Sequence, residues 1–211
     1  MASSTEQLVR AAIASGVRDE RVLEALRSVP RHHFVPDDRL DRAYIDRPLP
    51  IGHDQVTTQP SLVAAMVEAL QLSGSERVLE VGTGLGYQAA VLAQLAAEVW
   101  SVERFEDLAE QARANLAAAD VDHVEVVVGD GSQGLAEQAP YDAIVVAAAY
   151  PQVPPPLIEQ LRVGGTLVQP VGPGGAEDVT LFVRDHDGLV AQRSVIGAHF
   201  VPLHGRHGFP T

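Results

Sequence analysis

Along the first sixty residues, apolar positions recur at helical spacing and then give way to prolines. Leu8, Ala11, Ala12 and Ile13 form one stripe, and Val22, Leu23 and Leu26 form a second, with Gly16 between them. This predicts two short helices within residues 4–29. Pro30 stops the second, and residues 31–36 follow as an extended or turn segment. Residues 37–51 are mixed, with Pro48 and Pro50 holding the backbone extended. Residues 52–59 read as a polar loop. Pro60 suits the first turn of a third helix, because Leu62, Val63, Met66, Val67 and Leu70 recur at helical spacing behind it.

Beyond residue 76 the period changes. Val78, Leu79 and Val81 form a short apolar run that reads as a buried strand, followed by glycines at 82, 84 and 86 and a small-residue helix over residues 89–96. Residues 99–103 predict a second strand, Leu108, Ala112 and Leu116 a helix, and residues 124–128 a third strand. Residues 141–149 are apolar throughout, as in a central strand buried on both faces. Pro154, Pro155 and Pro156 open a helix through Leu157, Ile158 and Leu161, which Gly164-Gly165 should end. A strand over 166–171 and a turn at Pro173-Gly174-Gly175 come next. Residues 179–184 and 189–196 then form an antiparallel pair joined at Asp187-Gly188. Such alternation predicts an α/β fold: an open, mostly parallel, Rossmann-like sheet with helices on both faces, an N-terminal helical extension and antiparallel C-terminal strands. No repeat or linker interrupts it. Residues 1–211 therefore read as one domain, with 1–60 supplying the extension and a loop and 61–211 the α/β core.

Composition narrows the partners. The chain has 211 residues, 46% hydrophobic and 20% charged, enough for one sizeable core. No run is long enough to span a bilayer, and residues 1–6 lack the basic and apolar regions of a signal peptide. There is no cysteine, hence no disulfide framework and no thiol nucleophile, as suits a cytoplasmic protein. The formal net charge of −13, with no Lys/Arg-rich run, argues against a nucleic-acid partner. The eight histidines are scattered without ligand spacing, His32-His33 being the one adjacent pair, so no metal is expected.

The candidate chemistry gathers at the strand ends. Gly82-x-Gly84-x-Gly86 differs from the G-x-G-x-x-G of dinucleotide-binding enzymes, and Glu80 precedes it. With Thr83 inside it, this reads as a nucleoside-binding turn of the kind methyltransferases use for S-adenosylmethionine. Glycine-rich strand–helix turns also occur without a ligand. Glu103, about twenty residues on at the tip of the second strand, is placed to accept from both ribose hydroxyls; its alternative is an exposed strand-end charge. Asp130-Gly131 at the third tip can approach an adenine, or be an ordinary Asp-Gly turn. Gln55, Thr57, Thr58 and Gln59 arrive at a helix N-terminus, a natural seat for an anion, although Thr58 or Gln59 can equally serve as the cap.

The chain resembles the protein-L-isoaspartate O-methyltransferase family from about Val22 almost to the C-terminus. The resemblance rests on Val29-Pro30-Arg31, Phe34-Val35-Pro36, Ala43-Tyr44, residues 46–52, Gln55, Gln59-Pro60, residues 78–90, Gly129-Asp130-Gly131, Gln160-Leu161, Gly164-Gly165 and Pro170-Val171-Gly172. It implies a methyltransferase fold dependent on S-adenosyl-L-methionine, without metal, that esterifies the free α-carboxyl of L-isoaspartyl residues in damaged proteins and peptides. The ester then cyclises to a succinimide that hydrolyses partly to aspartate. A monomer, with no nucleic-acid or membrane partner, is expected. The resemblance places Glu80, Gly82, Thr83, Gly84 and Gly86 around the methionine part, Glu103 on the ribose, and Asp130 with Gly131 at the adenine. It places the catalytic loop at residues 54–60, with Thr58 at the family's hydroxyl position and Gln55 and Thr57 beside the substrate. The family commonly reads Gly-Gln-Thr-Ile-Ser there, so Val56, Thr57 and Thr58 all depart from it. Three rivals remain: a related enzyme esterifying aspartate in a dedicated peptide, a nicotinamide-dependent oxidoreductase, and a catalytically dead binding module. The glycine spacing argues against the second and the intact loop hydroxyls against the third.

Overall fold

The computed structural model describes residues 4–173 and 175–210. Residues 1–3 of the N-terminal stretch, Gly174 of the turn expected at 173–175, and Thr211 lie outside the described residues. In chain order the elements are α1 (Ser4–Ala14), α2 (Glu20–Ser28), β1 (Pro50–Gly52), β2 (Gln55–Val56), α3 (Pro60–Leu70), β3 (Arg77–Val81), α4 (Tyr87–Ala93), β4 (Glu98–Glu103), α5 (Glu106–Ala118), β5 (Val124–Val128), β6 (Tyr141–Val146), α6 (Pro155–Gln160), β7 (Leu161–Val171), β8 (Glu177–Arg184) and β9 (Leu189–Ala198).

Seven strands form one sheet in the order β5-β4-β3-β6-β7-β8-β9. Pairing is parallel from β5 through β7, and β8 and β9 then run antiparallel to their neighbours. The strand order reverses at β3 and β6, and in open α/β sheets ligands bind in the crevice outside such a switch point. The apolar run of β3 is buried because it lies between β4 and β6: Val78, Leu79 and Val81 are at most 2% exposed. β6 is likewise central, though it stops at Val146, earlier than its apolar run suggests.

Two short helices do begin the chain. Asp19 caps α2 by accepting from the Arg21 N–H, and α1 and α2 pack on α3. Of the two forms open to residues 31–36, residues 31–34 take the turn, as a 3-10 helix. The polar loop differs more from its sequence reading. β1 and β2 fold it into a small antiparallel hairpin whose tip, His53 and Asp54, adopts φ of 51° and 56°. Gly164-Gly165 does not end a helix: α6 stops at Gln160 and β7 begins at once, carrying both glycines inside the strand. A Cβ on Gly165 would stand 2.8 Å from the Asp142 carbonyl oxygen of neighbouring β6. That glycine is set by strand approach, which no helix-ending rule detects.

Candidate active site

β3 runs into a turn where Gly82, Gly84 and Gly86 all lie in the left-handed region, with φ of 95°, 55° and 95°. A Cβ on Gly82 would stand 3.4 Å from the Ala147 Cβ past the end of β6, and one on Gly84 3.3 Å from Ile51 Cδ1. Side chains are thereby kept out of the crevice, and backbone lines it. The turn is held by its own bonds: the Gly82 N–H donates to the Val102 carbonyl at 2.9 Å and the Gly86 N–H to the Thr83 carbonyl at 2.9 Å. Gly86 then starts α4.

Glu103, 5% exposed at the tip of β4, accepts from the Gly84 N–H at 2.9 Å and the Phe105 N–H at 3.1 Å. It lines the cleft, and its oxygens keep lone pairs for a ligand hydroxyl. Glu80 has a different place. It is fully buried and does not line the cleft; it accepts from the Ser101 hydroxyl, which meets the Thr83 hydroxyl at 2.5 Å. Burial pushes its carboxyl up to about 8, against the Ser101 hydrogen bond that favours the ionised form. Glu80 thus supports Thr83 from beneath.

Asp130 makes bonds that the sequence reading did not anticipate. One carboxylate oxygen accepts from the Ser132 N–H at 3.0 Å and the Ser132 hydroxyl at 2.6 Å. The other accepts from Gln133 Nε2 at 3.2 Å and the Arg206 N–H at 2.8 Å. A carboxylate offers about four lone-pair sites, and four donors fill them. Asp130 is not among the residues that line the cleft. Partial burial works against ionisation, but the Arg206 and Ser132 donors hold the carboxyl below its ordinary value. Asp130 therefore clasps the C-terminal segment, while its neighbour Gly131 lines the cleft.

The opposite bank is the loop after the hairpin. Thr57, 7% exposed, is pinned to Leu49 by both its backbone N–H and its Oγ1. Asp46 accepts from the Ser61 N–H and from Gln59 Nε2, both at 2.8 Å, so it rather than Thr58 or Gln59 satisfies the start of α3. The Thr58 hydroxyl is left without a protein partner among the described residues and lines the same cleft as Gln55, Thr57, Gly82, Thr83, Gly84, Glu103 and Gly131. Counting its open mouth, the cleft encloses about 900 Å³. Its remaining wall is the segment Val201–His204, which pairs with Ala149 through Ala149 N–H to Val201 O and Leu203 N–H to Ala149 O, each 2.8 Å. Among the described residues no three His, Cys, Asp or Glu side chains could hold a metal ion, and no helix is long and apolar enough to cross a membrane.

Sequence reasoning missed Gln88, Tyr87, Phe34 and Ile51, all of which line the cleft. Gln88 carries a local signal: a polar residue in the first turn of an otherwise apolar helix.

A switch-point crevice of bare backbone, an acidic second strand tip and a facing hydroxyl loop define the S-adenosylmethionine-dependent methyltransferase class. The sequence profile of the protein-L-isoaspartate(D-aspartate) O-methyltransferase family matches residues 3–208. A protein-L-isoaspartate O-methyltransferase of Methanoculleus marisnigri is 55% identical over 196 residues, covering 93% of this chain and 89% of the relative. One from a Synechococcus species is 51% identical over 210 residues, covering 96% and 86%. A solved protein-L-isoaspartate O-methyltransferase superposes with a TM-score of 0.85 at 29% identity, over 97% of this chain and 67% of the other. A solved Plasmodium falciparum protein in complex with S-adenosyl-L-homocysteine shares the fold, with a TM-score of 0.78 at 22% identity over 93% and 96%. The chain belongs to the protein-L-isoaspartate(D-aspartate) O-methyltransferase family.

Proposed function

We propose that this family member transfers the methyl of S-adenosylmethionine to the free α-carboxylate of L-isoaspartyl residues in damaged proteins and peptides, opening their repair. It does so as a single-domain cytoplasmic monomer, the residues before 61 supplying the acceptor loop and the rest the donor site. The observation that carries this reading is one continuous cleft with the glycine turn and Glu103 on one bank and the Thr58 hydroxyl on the other.

The residues present fit the donor. Gly82, Thr83 and Gly84 surround its methionine part and Gly86 sets the helix behind them, Glu103 meets the ribose and Gly131 the adenine. Glu80 acts through Thr83, and Asp130 through the tail it holds. When bound, the donor supplies a sulfonium methyl open to in-line attack. An acceptor carboxylate is already ionised at neutral pH, so this chain needs no strong general base. Its work would be positioning: Thr58 would donate to the acceptor carboxylate and orient it within the cleft, with Gln55 and Thr57 at its flanks. Threonine keeps the family hydroxyl and adds a methyl that stiffens χ1.

Labelled-methyl transfer to a peptide containing isoaspartate, beside its normal aspartate twin, tests the reading. Label on the first alone is expected. Equal labelling of both, or of neither, overturns it, and the second outcome with a single specific peptide as acceptor favours the dedicated-substrate rival.

A further inference from the structure

Arg31 is the largest side chain buried completely, at 0% exposed. By contrast, Arg27 at the surface meets Glu6, Glu20 and Glu24. Arg31 has no carboxylate partner among the described residues. Its Nη2 donates to Thr57 Oγ1 at 3.2 Å, while Nε and Nη1 have no hydrogen-bond partner. The guanidinium carbon stands 4.6 Å from the ring centroid of Tyr87, which lines the cleft. The nearby carboxylate of Asp46 is turned to Ser61 and Gln59 at the start of α3, where the helix end stabilises its charge.

A buried, unpaired guanidinium is costly in water-free surroundings and is seldom kept for stability alone. Its position says what it serves. Thr57 Oγ1 receives two donors, Arg31 Nη2 and the Leu49 N–H, which fill its lone pairs. The Thr57 proton is left to donate, and Thr57 lines the cleft. A chain of net charge −13 repels an anionic acceptor, and a cation behind the loop is screened far less than surface charges are. Resting on the function proposed above, we propose that Arg31 is a positioning residue for the acceptor. It holds Thr57 from behind and supplies the positive charge by which the site prefers a carboxylate over a neutral group of the same shape.

The test uses the enzyme saturated with S-adenosylhomocysteine, so that nothing turns over. Calorimetry compares binding of an isoaspartyl peptide with its α-carboxamide twin. The wild type is expected to prefer the carboxylate by about tenfold or more, and Arg31→Met to reduce that preference to within about twofold. Arg31→Lys, which keeps the charge, should retain most of it, and affinity for S-adenosylhomocysteine should not change in either. An Arg31→Met enzyme that keeps the wild-type preference overturns the proposal. So does an Arg31→Lys enzyme that loses as much as Arg31→Met, since packing alone would then explain the site. If Arg31→Met does not fold, Thr57→Val decides: a roughly threefold loss of preference supports the link and an unchanged ratio overturns it. A wild type that methylates no isoaspartyl peptide would instead defeat the activity itself, an outcome distinct from all of these.

Discussion

The two banks of the cleft are built by opposite means. The donor bank is backbone at the ends of buried parallel strands, where glycines leave room and the turn is held by main-chain bonds, by Glu103 and by the buried Thr83–Ser101–Glu80 chain. The acceptor bank is a loop with little regular structure, held by side chains from outside it: Arg31 on Thr57, Asp46 on Gln59, and Asp107 on His53 at the hairpin tip. A site that must fit one invariant donor can be made by the sheet. A site that admits an isoaspartyl group within many different chains is a loop whose shape depends on a few replaceable clamps.

The contrast predicts unequal consequences when each bank is damaged, and the donor bank should fail most completely. Gly82→Val forces a β-branched residue to φ 95° with a Cβ 3.4 Å from Ala147. Strain of about 1–3 kcal/mol should appear as a lowered melting temperature. With the turn displaced from the crevice, calorimetry should find affinity for S-adenosylhomocysteine reduced by roughly tenfold or more, about 1.4 kcal/mol per tenfold. Affinity within a few-fold of wild type would show that the turn does not hold the donor.

Thr58→Ala attacks the other bank. Loss of a hydrogen bond to a charged group should lower kcat/KM for an isoaspartyl peptide by roughly 10- to 100-fold. Affinity for S-adenosylhomocysteine should stay within about twofold, as expected for a group outside the donor site. If the two quantities fall together, the banks are not separable and the comparison fails.

The banks also differ in how far they could be read from sequence. The β3 turn and Glu103 were legible because a buried strand, a glycine turn and an acidic second tip are local patterns with fixed offsets. That Gly131 would lie at the strand tips was legible for the same reason, but the bonds of Asp130 to the C-terminal segment were not. Its carboxylate is filled by the Arg206 N–H from 76 residues away, and no spacing rule reports a contact that distant. Glu80 likewise reads as a site residue by position, yet the pleat points it beneath the turn to Ser101 on β4. On the acceptor side the loop was located, while its hairpin form and its clamps, Arg31 above all, come from tertiary contacts. The length of β7 escaped because Gly164-Gly165 reads as a stop when seen alone.

Glu80 offers a subtler test, since it supports the donor bank without touching the cleft. Its folded-state carboxyl lies near 8 against an ordinary 4.5, with burial the chief cause. Between those values the folded protein keeps a proton that the unfolded chain has lost, so this group's contribution falls as pH rises through the window and is level above it. Glu80→Gln removes the titration and keeps the shape. The unfolding free energy of wild type relative to Glu80→Gln should therefore decline between about pH 4.5 and 8, by a few kcal/mol at most, and its melting temperature should fall with it. A difference independent of pH would mean that Glu80 is already ionised in the fold.

The smallest effect is expected at the hairpin, where the acceptor bank reaches over the donor bank. The His53 ring stacks on Phe105 with centroids 4.1 Å apart and planes 12° from parallel, and its Nε2 lies 2.8 Å from an Asp107 oxygen. Both partners of that pair are substantially exposed, so water and salt screen it. Ile51, on the same hairpin, rests over Gly84. The hairpin contact therefore borders the turn expected to hold the donor. His53→Ala should speed dissociation of S-adenosylhomocysteine by roughly two- to fivefold in stopped flow, the range expected for a surface stack and pair. His53→Phe, which keeps the ring and loses the hydrogen bond to Asp107, should fall between the two. Equal release rates in all three would detach the hairpin from the donor bank, leaving the two sides of the cleft joined only at the turn and the loop.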